Sequence, residues 1–370
     1  MKGRRRWYLV PAALAAVASL VAASFASGGT SGRTATKVTL QLKWVTQAQF
    51  AGFYAAKAKG FYKQAGLDVN LKVGGPDISP EQVVAGKQAE FGVNWLPSLL
   101  AQRDTGNNLV NIAQVYTRSG TTEVTWKDSG INSIAKMKGK KYGVWILGNE
   151  FEQQAALVKA GLDPKKDVTL VKQNFDMNAF LKREIDAASA MTYNELAQVL
   201  ETKNPKTGKL YQLSDLNVFK MSALGTGMLQ DGVFVRGDWI KSKANQATAV
   251  KFLTASLKGW AYCRDHFREC VNIVLANGPA LPKGHQTWQM NEVNALIWPN
   301  RLGVGVMDPA SFKSTADIAL KFDVIKKKAS AAAYRSDLAK KAVAALKKQG
   351  VDVFGKKWKK AKVTLTEGGK

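Results

Sequence analysis

Between Val38 and Leu100 the chain reads VTLQLKWVTQAQFAGFYAAKAKGFYKQAGLDVNLKVGGPDISPEQVVAGKQAEFGVNWLPSLL, and its hydrophobic period switches repeatedly. VTLQLKWV alternates apolar and polar residues with the period of a strand. After the polar TQAQ, Phe50, Phe53, Tyr54 and Phe61 recur at helical spacing, and Gly66 stands just past that helix. LDVNLKV reads as a second strand, Pro80 opens a helix, and FGVNW is a short third strand. Strands alternating with helices of this length specify a parallel α/β sheet. Such sheets bind ligands beyond the carboxyl ends of their strands. Those ends carry Trp44, Thr46, Gln47 and Gln49 after the first strand, and Asn94 and Trp95 after the third.

A second α/β run repeats the logic. From about 128 to 218, KYGVWILGNEFEQQAALVKAGL, VTLVKQN, DMNAFLKREI, AASAMTY and NELAQVLET alternate strand and helix. LVNIAQVYTR and TTEVTW read as further strands of the first run, and MSALGTGMLQDGVFVRGDWI as strands returning to it. The interrupted helix Asn245 to Asn277 packs on that first unit. The expectation is an α/β chain of two lobes joined by two crossings. Lobe 1 spans 38–127 and 219–328, and lobe 2 spans 128–218. The stretch 329–370, an Ala/Lys-rich helix with a basic tail, is expected to lie largely outside the fold.

The first strand and helix also carry a likeness. LKWV-x-QAQFAGFYAAKAKGFYKQAGLDV, followed by GKQAEFGV, resembles the NMT1/THI5-like substrate-binding proteins of bacterial ABC importers, over roughly residues 38–325. LQLKWVTQAQFAGFY with GGPDISPEQVVAG is most similar to the branch associated with riboflavin and with pyrimidine precursors of thiamine. The resemblance implies a solute-binding protein serving an ABC permease and its ATPase, with no cofactor. Two lobes with two crossings are the arrangement of type II periplasmic binding proteins, which close by hinge motion around ligand. Nothing in the sequence points to an oligomer, so a monomer is expected.

The start, MKGRRRWYLVPAALAAVASLVAASFASGG, has the basic, apolar and small-residue order of an export leader. A cut after Ala26 gives a leader over 1–26 and a small-residue linker over 27–37; a retained anchor is the alternative. No cysteine lies near the cut, which excludes a lipid-anchored form. A periplasmic or cell-envelope location follows. The formal net charge is +26, or +22 without Lys2, Arg4, Arg5 and Arg6. An exported chain without a nucleic-acid motif makes a solvated basic surface the simpler reading than DNA binding.

The two cysteines lie in AYCRDHFRECVN. On one continuous helix Cys263 and Cys270 would be about 10 Å apart along the axis, too far for a disulfide. A break at Asp265-His266 would bring them together, and export favours that bridge over two buried thiols. A metal site at Cys263, His266 and Cys270 lacks a fourth ligand.

For a binding cleft, Trp44, Trp95, Tyr116, Trp145 and Tyr193 stand at or near strand ends, where aromatic faces sandwich a flat heterocycle. Gln47, Gln49, Asn94, Asn149, Glu150, Asn194 and Asp231 are the candidates to read its polar edge. Asn149 and Glu150 open a helix after Gly148, where backbone N–H groups are free. Riboflavin is the preferred ligand, a thiamine pyrimidine precursor the next and an aliphatic sulfonate the third. The opposing reading is an enzyme. The resemblance extends to eukaryotic relatives that make the thiamine pyrimidine with a lysine and a histidine after the third strand and a CCCFC string. Here those positions hold Asn94 and Ser98, and Gly227 to Phe234 has no cysteine. No G-x-S-x-G, P-loop or G-x-G-x-x-G motif is present either. A binding protein is expected, not an enzyme.

Overall fold

Ten strands form two five-stranded mixed sheets among residues 34–370, the part that the computed structural model describes. In chain order the strands are β1 (Thr36–Gln41), β2 (Leu67–Lys72), β3 (Phe91–Asn94), β4 (Leu109–Gln114), β5 (Thr121–Trp126), β6 (Lys141–Val144), β7 (Thr169–Lys172), β8 (Ala187–Met191), β9 (Leu216–Lys220) and β10 (Gly232–Arg236). The first sheet has the order β2-β1-β3-β10-β4 and the second β7-β6-β8-β5-β9. In each, three strands run parallel and one returning strand pairs antiparallel on both sides: β10 between β3 and β4, β5 between β8 and β9. The expected leader lies outside the described residues, as does the linker up to residue 33. β1 begins at Thr36, inside the stretch read as linker.

Burial explains the central strands. All of β3 and nearly all of β10 are buried, and Phe234 lies across Gly92, where an added Cβ would come within 2.3 Å of the ring. The first sheet packs against the helices Ala51–Ala58, Lys243–Asp265 and Phe267–Asn277, with Phe91 stacked on Phe252 at 4.0 Å between centroids. The first two of these helices meet backbone to backbone at Gly52 and Gly259. The aromatic helical run read from the sequence is two helices, because Gly60 takes φ +71° and turns the chain before Phe61–Gln64. The 243–265 helix ends at Asp265 and the next begins at Phe267, and Cys263 and Cys270 form a disulfide with their Cα atoms 5.3 Å apart.

Two boundaries differ from the sequence reading. TTEVTW was placed in lobe 1, yet β5 is an inner strand of the second sheet, with Thr121, Thr122, Glu123 and Thr125 all buried. Its partners β8 and β9 lie far along the chain, so local pattern does not reveal them. The chain therefore crosses at 115–120 and again at 221–231. The second correction concerns 329–370. The helix Asp337–Lys348 buries Leu338, Ala339, Ala342, Val343 and Leu346 against the 243–265 helix, and the tail continues along the helix Lys283–Ile297. That i, i+4 stripe is a core-facing surface, and it makes the segment part of the fold.

The two crossings meet in a buried polar knot. Gln230 donates to Thr121 Oγ1 at 2.6 Å and to Glu152 Oε1 at 3.1 Å, and its own oxygen accepts from the Gly120 N–H at 2.9 Å. Ser119 donates to Glu152 Oε2 at 2.6 Å. Burial pushes the Glu152 carboxyl up to about 7.

Candidate functional site

The carboxyl ends of β1 and β3 face those of β6 and β8, and a narrow cavity of about 20 Å³ lies between them. The first half contributes Lys43, Trp44, Gln47, Gln49 and Trp95 to its wall. The second contributes Trp145, Asn149, Met191, Tyr193, Asn194 and Glu195. Eight of the residues expected from sequence thus line one space: Trp44, Gln47, Gln49, Trp95, Trp145, Asn149, Tyr193 and Asn194. Trp44 and Trp145 come from opposite halves and meet edge to face, 6.2 Å between centroids at 72°.

The other four candidates stand one layer behind. Asp231 accepts from Trp95 Nε1 and from Gln49 Nε2, both at 2.8 Å, and so fixes a ring and an amide that reach the cavity. Tyr116 is fully buried, and its hydroxyl donates to the Gln49 carbonyl at 2.7 Å. Asn94 donates to both oxygens of Glu81. Glu150 stands just before the helix Phe151–Lys159 and makes no side-chain cap; its carboxylate accepts from the Gly148 N–H of the preceding loop at 2.9 Å. These four position the wall and do not form it.

The structure adds Lys43, Met191 and Glu195, which sequence reasoning missed. Lys43 is buried at the floor, donating to Asn94 Oδ1 at 2.8 Å and to Asn149 Oδ1 across the two halves. Its ammonium lies 4.2 Å from the Trp95 ring centroid. Burial pulls the lysine down to about 8, opposed by the charges of Asp231, Glu81 and Glu150. Burial likewise raises Asp231 to about 6, and Lys43 holds it from rising further. Glu195 accepts from the Met191 N–H at 3.0 Å and from Asn194 Nδ2 at 2.6 Å; burial lifts it to about 7. A buried charge without partners is costly, and both of these ionisable groups at the cavity wall are held by hydrogen bonds.

A wider vestibule of about 330 Å³ adjoins the cavity, sharing Trp44, Gln47 and Asn194. Across it His285 contacts Glu201 Oε2 through Nδ1 and Asn194 Oδ1 through Nε2, each at 2.8 Å. The tail closes over this bridge: the Gly368 N–H donates to the Glu201 carbonyl at 2.9 Å and Lys203 pairs with Glu367 at 2.6 Å. Among the described residues, no group of three or more His, Cys, Asp or Glu side chains is arranged to hold a metal ion. No helix there is long and apolar enough to cross a membrane.

A family model described as NMT1/THI5 like matches residues 47–269. A Haemophilus influenzae protein named for thiamine biosynthesis is 25% identical over 241 residues, covering 63% of this chain and 71% of the relative. The riboflavin-binding protein RibY of Chloroflexus aurantiacus is 22% identical over 290 residues, covering 74% and 78%. A 4-amino-5-hydroxymethyl-2-methylpyrimidine phosphate synthase of Saccharomyces cerevisiae is 23% identical over 229 residues, covering 61% and 66%. Among solved structures, the alkanesulfonate-binding protein SsuA from Xanthomonas axonopodis pv. citri superposes with a TM-score of 0.60 at 14% identity, over 81% of this chain and 98% of that one. That likeness shows the two-lobed α/β fold of periplasmic binding proteins.

Proposed function

The chain belongs to the NMT1/THI5-like family, and on that premise we propose that it is the exported solute-binding protein of an ABC importer. Its cargo is a flat aromatic heterocycle, held between the two halves and passed to a membrane permease. The observation that carries this is the composition of the cavity wall: three tryptophans and a tyrosine beside amides, one cation and one neutralisable carboxyl. The aromatic surface supplies desolvation and stacking. The polar groups read ring nitrogens and exocyclic substituents.

Polarity favours a single ring with an amine, the pyrimidine class, over the flavin preferred from sequence. The free space between the halves is about 20 Å³, room for a water and not for a ring, so a ligand of either size enters only as the halves part. A protonated Glu195 donates to a ring nitrogen with one oxygen and accepts from an adjacent amine with the other. Riboflavin is the second reading, supported by the vestibule, which gives a larger ligand room outside the inner cavity. A binding role is favoured over catalysis, because Asn94 and Ser98 replace the lysine and histidine of the synthase pattern. Asn94 donates to Glu81 and accepts from Lys43, and Ser98 Oγ accepts from Asn94 Nδ2 at 3.3 Å.

The test is titration of the purified protein with 4-amino-5-hydroxymethyl-2-methylpyrimidine, riboflavin and an alkanesulfonate, followed by tryptophan fluorescence and calorimetry. Saturable one-to-one binding of the pyrimidine, tighter than of the other two, is expected. Preference for the sulfonate, or silence toward all three, would refute the reading.

A further inference from the structure

The 337–348 helix and the tail after it carry a dense run of lysines, none of which lines the inner cavity. The 337–348 helix turns its apolar stripe inward and leaves Lys340, Lys341, Lys347 and Lys348 exposed. The tail beyond it adds exposed Lys356, Lys357, Lys359 and Lys362. It is held firmly: Asn291 and Ala361 exchange hydrogen bonds of 2.8 and 2.9 Å, and Val353 is fully buried. None of these eight lysines has a carboxylate within ion-pair distance among the described residues, whereas Lys360 between them pairs with Glu292.

The same tail walls a groove of about 670 Å³ against the 267–277 and 283–297 helices. Arg268, Lys283 and Lys362 line it, with Asn272, Thr287 and Thr364 as neutral hydrogen-bonding groups. No carboxylate lines it, and none of its three cations is ion-paired among the described residues. Half-buried Phe267 and Val363 supply apolar surface beside the charges. A cluster of unneutralised cations flanked by apolar side chains matches a phosphate joined to an acyl chain, and suits a soluble anion less well.

We propose that this face docks the protein on an anionic phospholipid bilayer, with a lipid phosphate seated between Arg268, Lys283 and Lys362 and the exposed lysines spread over neighbouring headgroups. Only the identity of the bilayer, the one that holds the permease, rests on the importer reading; the charge arrangement stands without it. The tail that carries these lysines continues to Gly368 at the vestibule, so docking keeps the cleft close to the membrane that receives its cargo. Each basic residue near such a surface strengthens association by roughly fivefold.

The experiment is co-sedimentation of the purified protein without the leader (residues 27–370) with vesicles of phosphatidylcholine alone or with one-third phosphatidylglycerol, at low and high salt. Binding to the anionic vesicles only, abolished at high salt, is expected. The triple variant R268Q/K283Q/K362Q should bind them at least tenfold more weakly, while its circular dichroism and its heterocycle titration stay unchanged. Equal binding to both vesicle types, no binding to either, or full affinity in the triple variant would overturn the proposal. Displacement by millimolar inorganic phosphate at constant ionic strength would overturn it too, by assigning the groove to soluble anions. Failed vesicle binding with intact heterocycle binding refutes the docking face alone; failed heterocycle binding refutes the importer reading.

Discussion

The carboxyl of Glu195 provides the sharpest test of how the cavity reads its ligand. It is buried, accepts two hydrogen bonds from the protein, and is raised to about 7 chiefly by burial. Near neutrality it therefore exists in both forms, and only the protonated form offers a donor and an acceptor together to an aminopyrimidine edge. If the ligand selects that form, affinity follows its population: nearly complete at pH 6 and about one-tenth at pH 8. The dissociation constant should rise about tenfold over that interval, about 1.4 kcal/mol. Glu195→Gln carries a fixed donor and acceptor, and Asn194, turned by half a rotation, accepts from the new amide. This variant should bind with a flat pH profile. Calorimetric titration of both proteins at half-unit intervals from pH 6 to 8 measures the two slopes. A wild-type affinity that is constant or rises with pH refutes the reasoning. An equal slope in both proteins assigns the titrating proton to the ligand and removes Glu195 from the mechanism.

Other expectations concern the aromatic wall, the crossings and the tail. Trp44→Ala should weaken heterocycle binding by about 1–3 kcal/mol through lost stacking and apolar contact, measured by calorimetry; unchanged affinity would place the ligand elsewhere. Trp95→Ala should cost at least as much and also lower the melting temperature, since Asp231 loses one of its two side-chain donors. Glu152, raised to about 7 in the folded chain, binds more protons folded than unfolded between its ordinary pKa and 7. Its contribution to stability is therefore present below that window and lost as pH rises through it. Glu152→Gln should flatten the fall in melting temperature between pH 5 and 8, and an unchanged fall would exonerate this carboxyl. Leu346→Ala, in the wholly buried stripe of the 337–348 helix, should destabilise the protein by about 2–5 kcal/mol in urea melts. A neutral result would mean the segment does not belong to the core.

The fold was legible wherever partners were close in sequence. The βαβ run from β1 to β3 and its counterpart from β6 to β8 follow from periodicity and from Gly and Pro placement, as does the break between Cys263 and Cys270. The strands that return were harder. β10 joins β3 and β4 from more than a hundred residues away, and of MSALGTGMLQDGVFVRGDWI, read as returning strands, only GVFVR is one, since MSAL is helical. β5 has the mixed sequence TTEVTW, whose Thr and Glu side chains point to an edge; only the pairing with β8 and β9 buries them. The tail was misplaced by reading its lysines and overlooking Leu338, Ala342 and Leu346, which share one face of the same helix.

The residues missed at the site share a cause. Lys43 stands in LQLKWV, where alternation assigns it to the solvent face of a strand. β1 ends at Gln41, however, and two residues later the chain has left the pleat, so the face that Lys43 occupies no longer follows from parity. Glu195 stands in NELAQVLET and reads as a first-turn acid on a helix, which it is, and that position alone suggests a solvated charge. The difference is the neighbourhood: Glu195 opens its helix beneath Met191 and Tyr193, at the end of a buried strand of the other half, where water is excluded. Sequence pattern reports which way a side chain faces relative to its own element. The chemistry of this cavity depends on what the opposite half brings over it, as Lys43 shows by donating at once to Asn94 of one half and Asn149 of the other. A binding site assembled from two such halves has its aromatic wall written in local sequence and its charges defined only on closure.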